Sequence, residues 1–178
     1  MPGKTRFISL SPLSKGGDTL TVKIPLSSGR YYLIENRQPI GFDTVLPDSG
    51  ILILRVDPMV QEGSGTVRVM NANPAVPNFS QATFRLDRKK GNIFIDKKHD
   101  VVVMPLWSAG EKQNLLVTTQ EQSADALKSA LMIQEIMDRH PKPRNQQMDQ
   151  LIKNYVRIFR RYDFKGCRQQ LTKKNPSL

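Results

Sequence analysis

Two histidines, one cysteine and a knot of acidic residues are the side chains of this 178-residue chain best equipped for chemistry. His99 and His140 stand far apart, and no histidine pair brackets a glutamate as HExxH, the helical spacing that sets two imidazoles on one zinc ion. Neither belongs to a local His, Asp and Cys cluster. His99 is expected at the surface beside a charged turn, and His140 at the negative end of a helix dipole. Cys167 lies in FKGCRQQ, where flanking cations would lower the pKa of an accessible thiol. No base or oxyanion site accompanies it, so an unpaired tail thiol is expected. No nucleophile elbow frames a serine. Gly16 and Gly17 lack the strand and helix of a phosphate cradle and are assigned to a flexible start. The sequence therefore names no catalytic residue.

The acidic residues carry more information. Glu35, Asp43, Asp48 and Asp57 gather around the connection between the two best strand signals. Glu35 interrupts an apolar strand, and a buried carboxylate is costly without a partner. Arg37 and Arg55 are the nearest cations for it, and a Glu35–Arg37 pair that holds the connection is the expected arrangement. The alternative is a calcium site built from Asp43, Asp48 or Asp57 with backbone carbonyls, since calcium takes several oxygen ligands in turn-rich loops. No other cofactor is indicated.

The third group is cationic. From residue 119 onward there are twelve Lys and Arg against six Asp and Glu, and the whole chain carries a formal charge of +11. Arg157, Arg160, Arg161, Lys165 and Arg168 recur at roughly helical spacing and could form a positive strip for phosphates. The competing reading is a solvated helix face. Charge alone does not choose among nucleic acid, acidic glycan and anionic lipid.

The elements that must position these groups fall into two textures. LTVKIPL at 20–26 alternates as a half-buried strand, and YYLIEN at 31–36 suits a central one. ILILRVD at 51–57 is near-continuously apolar, which predicts burial on both faces. GTVRVMNA, ATFRLD, NIFID, HDVVVMPLW and QNLLVTT continue the series of short strands, with RKKG as a solvated turn. The absence of long intervening helices argues against a doubly wound α/β fold.

Near residue 119 the period changes from two to that of a helix. Leu127, Ala130, Leu131, Ile133 and Met137 predict a helix running to His140. It opens on Thr118 with Glu121 or Thr119 with Gln122 as a capping box, and His-Pro-Lys-Pro closes it. Met148, Leu151, Ile152, Tyr155, Phe159 and Tyr162 predict a second helix from about Gln146 to Tyr162. The polar segment after Phe164 is expected to fray. The fold class is thus mainly β: a sandwich-like antiparallel domain over 1–118, followed by a C-terminal α-helical hairpin within a basic tail over 119–178. Leu127, Leu131, Ile152, Tyr155 and Phe159 would dock that hairpin on the sandwich or on a partner.

Twelve prolines and eleven glycines agree with many turns, and one cysteine excludes an intrachain disulfide. No 18-residue apolar window exists, so no transmembrane segment is expected. The first residues lack the apolar run of a signal peptide, which would then have to lie upstream in a secreted parent.

The segment YYLIENRQPIGFDTVLPDSGILILRVD resembles a stretch of the immune-inhibitor-A-type metalloproteases. There an aromatic-apolar strand leads to Glu-Asn-Arg, then to a glycine, an aromatic and an aspartate, a proline turn, a glycine and an apolar strand. Here those positions are Tyr32, Leu33, Glu35, Asn36, Arg37, Gly41, Phe42, Asp43, Leu46, Pro47, Gly50, Leu52, Ile53, Val56 and Asp57. Weaker resemblance extends through VRVMNANPAVPNFSQATFRLD and FIDKKHDVVVMPLW, covering about residues 9–118. The family's zinc ligands and catalytic glutamate lie upstream of this stretch, so none is carried over. The resemblance implies a β-rich, non-catalytic accessory module of a secreted zinc protease, with Glu35, Asn36, Arg37, Gly41, Phe42 and Gly50 as structural residues. Its partner would be the upstream protease domain or another protein, and an extracellular parent is implied. The alternative is an anion- or nucleic-acid-binding module that works through the basic tail.

Overall fold

Alternating apolar residues become two antiparallel sheets packed face to face. The computed structural model describes residues 4–87 and 92–174; the expected RKKG turn at 88–91 lies outside them. One sheet is a meander of β2 (Thr21–Pro25), β3 (Tyr31–Arg37), β4 (Gly50–Val56) and β5 (Val67–Val69). The other has the order β1-β8-β7-β6, from β1 (Arg6–Leu10), β6 (Phe94–Asp96), β7 (Val101–Ala109) and β8 (Lys112–Thr118). Leu10, Ile24, Tyr32, Ile34, Ile51, Ile53, Phe84, Phe94, Val101, Val103 and Leu115 fill the space between the sheets. Each fully buried aliphatic side chain there contributes about 1.5–3 kcal/mol relative to exposure. Tyr32 and Phe94 meet edge-on across the sheets, with ring centroids 5.0 Å apart.

A helical layer covers the outer face of the β1-β8-β7-β6 sheet. It comprises α1 (Gln120–Arg139), α2 (Gln146–Phe159) and α3 (Phe164–Lys174). Met104, Leu106, Trp107 and Leu116 of the sheet share a core with Ile133, Ile152, Tyr155, Phe159, Phe164, Cys167 and Leu171 of the helices. The strand buried on both faces is therefore β7, not β4: Val101 to Trp107 are all buried. In β4, Ile51 and Ile53 are buried while Leu52 and Leu54 are only half-buried. A register shift between Pro105 and Ser108 lets both Leu106 and Trp107 join the helix-side core. Trp107 meets Phe159 edge-on at 5.3 Å, which contributes about 0.5–1.5 kcal/mol beyond area burial.

Other expectations change as well. The stretch before Thr21 contains β1, paired with β8 from Arg6↔Val117 to Leu10↔Gln113. ATFRLD makes only a bridge, Ile51↔Phe84, so it is a connection rather than a strand. The segment from Phe164 is helical, and burial of Phe164, Cys167 and Leu171 turns the hairpin into three packed helices. Neither threonine caps α1: Thr119 makes no side-chain cap bond, and Asp100 Oδ1 accepts from Gln120 N at 2.9 Å. A carboxylate delivered by the β6–β7 turn thus stands at the positive end of the helix. The start of α2 follows expectation, with Asn145 Oδ1 accepting from Met148 N at 2.8 Å, but α2 ends at Phe159 rather than Tyr162.

Candidate functional site

Glu35, Asn36 and Arg37 close β3, and the strand pleat sends them to opposite faces. Asn36 turns inward and is fully buried. Its Nδ2 donates to Leu10 O at 3.0 Å and to Glu111 O at 3.1 Å, tying β3 to β1 and to the β7–β8 turn. Glu35 and Arg37 point outward, where the connection to β4 folds back over them. Arg37 Nη1 donates to Glu35 Oε2 at 3.1 Å and Nη2 to Asp43 Oδ1 at 2.7 Å. Arg55, the other expected partner of Glu35, instead lies opposite Tyr32 in the β3–β4 register.

Further bonds fix the same connection. Ser14 Oγ donates to Ile40 O at 2.8 Å. Asp48 Oδ2 accepts from Thr83 N at 3.1 Å and Thr83 Oγ1 at 2.7 Å. Gly41 has φ +57°, and a Cβ there would stand 3.3 Å from Ser14 O. Gly50 has φ +142°, and a Cβ would meet Arg85 Cγ at 2.8 Å and Phe84 O at 2.9 Å. Both glycines hold conformations and approaches that a side chain would oppose. On this fixed loop Phe42, expected as a structural residue, is instead 95% exposed, and Val45 is 88% exposed.

The calcium alternative does not assemble. Asp43 is engaged by Arg37, Asp48 by Thr83 and Ser49 N, and Asp57 by Met59 N with Arg30 at 4.0 Å. Among the described residues no three His, Cys, Asp or Glu side chains converge to hold a metal ion.

His99 lies within a cluster that the sequence did not reveal. Tyr32 OH donates to Asp96 Oδ2 at 2.7 Å, and His99 Nδ1 donates to the same oxygen at 2.6 Å. Asp96 Oδ1 accepts from Lys98 N at 2.9 Å and His99 N at 3.3 Å. Burial opposes the charged form of Asp96, but these hydrogen bonds outweigh it and hold its carboxyl below the usual aspartate value. Burial and the adjacent carboxylate push the Tyr32 phenol well above its ordinary pKa, so it stays a donor. The cluster spans the two sheets through β3 and β6 and fixes the β6–β7 turn. His140 caps the end of α1, as expected.

Cys167 is unpaired, as expected, but its flanking cations do not lower its pKa. It is fully buried in the helical core, and burial, aided by the Asp163 charge, pushes its thiol up to about 11. Of the flanking cations, Arg168 pairs with Asp125 and Lys165 is exposed.

The five expected interaction residues are drawn into the fold. Ile152, Tyr155 and Phe159 are buried, and Leu127 and Leu131 are half-buried against the same core. They dock the helices on the sheet instead of offering a free face. The expected cationic strip divides. Arg157, Arg160 and Arg161 line a groove of about 600 Å³ beside Ile152 and Val156. Arg168 sits on α3 and pairs with Asp125 of α1 at 2.7 Å, and Lys165 is exposed outside the groove. Lys142, Arg144 and Lys153 complete the groove, and a run built on α2 spacing alone misses the two that come from the α1–α2 loop.

Comparison with protein-family models, with curated proteins and with solved structures finds no match to this chain. Among the described residues no helix is long and apolar enough to cross a membrane.

Proposed function

We propose that this chain is a non-catalytic, protein-interaction module related to the region that follows the catalytic part of a secreted zinc metalloprotease, and that it offers its β3–β4 connection to a protein partner. One observation carries the reading. Phe42 and Val45 are 95% and 88% exposed at the tip of a loop fixed by Glu35, Arg37, Asp43 and Asp48. Apolar side chains on a rigid support lose little conformational entropy on docking. Burying a phenylalanine yields about 1.5–3 kcal/mol, the scale of an interface anchor. The resemblance in residues 31–57 favours a protease chain as the partner, because the resembling segment is the one that shapes this loop.

The supporting test is a pull-down from the native source with intact-mass identification of the bound chain. Wild type should recover a chain carrying HExxH, and Phe42→Ser with Val45→Ser should lose it while keeping the thermal unfolding midpoint. Equal recovery by the double variant would remove the loop from the interface. Recovery of chains without that motif would remove the protease link.

A further inference from the structure

The groove beside α2 gathers charge of one sign from three segments. Lys142 and Arg144 come from the α1–α2 loop, Lys153 and Arg157 from α2, and Arg160 and Arg161 from the turn after it. The carboxylate among them is Asp149, already 3.0 Å from Lys153 Nζ. Lys153 and Arg157 stand at four-residue spacing on α2, where like charges repel, and Arg161 follows in the turn beyond it.

Arg144 is the most informative member. Its side chain is 11% exposed, yet Nε and Nη1 find no hydrogen-bond partner among the described residues, and Asp149 Oδ1 lies 3.7 Å from Nε. A guanidinium carries five donors in a planar fork suited to phosphate oxygens. Ile152 and Val156 contribute apolar surface to the groove, and among the described residues no aromatic ring lines it. That composition disfavours base stacking, the usual contribution to single-stranded nucleic-acid affinity. The volume of about 600 Å³ falls within the range of small-molecule sites.

We infer that this groove is a binding site for a compact anion carrying several closely spaced phosphate groups. Arg144 supplies a guanidinium from the wall, Arg157 supplies charge from α2, and Arg161 supplies it from the turn after the helix. The site is separate from the proposed protein-docking loop, since neither Phe42 nor Val45 lines it.

The test is calorimetric titration of the full chain with inorganic tripolyphosphate at low ionic strength. Saturable binding at one ligand per chain is expected, weakening as salt rises. Arg157→Gln with Arg161→Gln should weaken it by about tenfold or more, given the loss of two charged donors. Arg144→Lys, which keeps the charge and loses the fork, should weaken it with the fold intact by circular dichroism. Lys97→Gln with Lys98→Gln removes equal charge outside the groove and should change little. Absence of saturable binding would overturn the inference, as would equal weakening by the Lys97 and Lys98 pair. Oligonucleotide binding that tripolyphosphate does not displace would overturn it in favour of a nucleic-acid surface.

Discussion

Arg37 Nη2 and Asp43 Oδ1 meet at 2.7 Å across six residues, and the same guanidinium reaches Glu35 at 3.1 Å. One side chain thus neutralises a carboxylate on the strand and another on the loop that covers it. Glu35 is 8% exposed at its side chain, so it depends on that pairing. Arg37→Ala should destabilise the protein by about 3 kcal/mol, because it strands a buried carboxylate. Glu35→Gln with Arg37→Met should cost less than the single change, since no unpaired charge remains. Urea denaturation of the three chains measures both.

Gly50 supports the other end of the connection. Its φ of +142° and the 2.9 Å approach of Phe84 O leave no room for a methyl group. Gly50→Ala should cost about 1–3 kcal/mol from the backbone conformation. The loss should appear as a lower unfolding midpoint in the same urea series.

The Asp96 cluster sets an acid limit. The Asp96 carboxyl is held below its ordinary value of 3.8, so its contribution to stability is complete above that value and is lost as the pH falls through the lower folded-state value. Asp96→Asn removes this component. Thermal unfolding followed from pH 6 to about pH 2 should therefore show a shallower acid decline in the variant, from a lower starting midpoint. An identical decline in both chains would take Asp96 out of acid unfolding.

Cys167 should resist thiol reagents in the native state. Its pKa is pushed up to about 11, and the side chain is fully buried. A disulfide reagent at pH 8 should label it only after denaturation. Because the folded-state pKa is raised, the neutral thiol's contribution to stability is present below the ordinary pKa and is lost as the pH rises through the folded-state value. Rapid native labelling would contradict the packing of α3 on α1.

Much of this fold is legible in period-two and helical patterns, since β2, β3, β4, β8, α1 and α2 fall close to their expected places. The exceptions share a cause: long-range packing decided them. VVVMPLW and ILILRVD look alike in sequence, but only the first lies between a sheet and a helical layer. RFISL is a short amphipathic run that becomes a strand because β8 offers an edge more than 100 residues away. FKGCRQQL carries just enough apolar spacing, at Phe164, Cys167 and Leu171, to helix against α1, while its polar composition suggests fraying. The Glu35–Arg37 pair is readable because both residues sit on one strand face. The roles of Asp96 and Arg144 are not, since Tyr32 reaches Asp96 from another strand and Arg157 joins Arg144 in the groove from another segment.

The most direct test of the central claim places a photo-crosslinking amino acid at position 42 in the full chain, expressed in its native source. An adduct with a chain bearing HExxH is expected, and none when the crosslinker stands at Lys97. No adduct from position 42, or adducts only with chains lacking that motif, would contradict a protease-associated docking role for the β3–β4 connection.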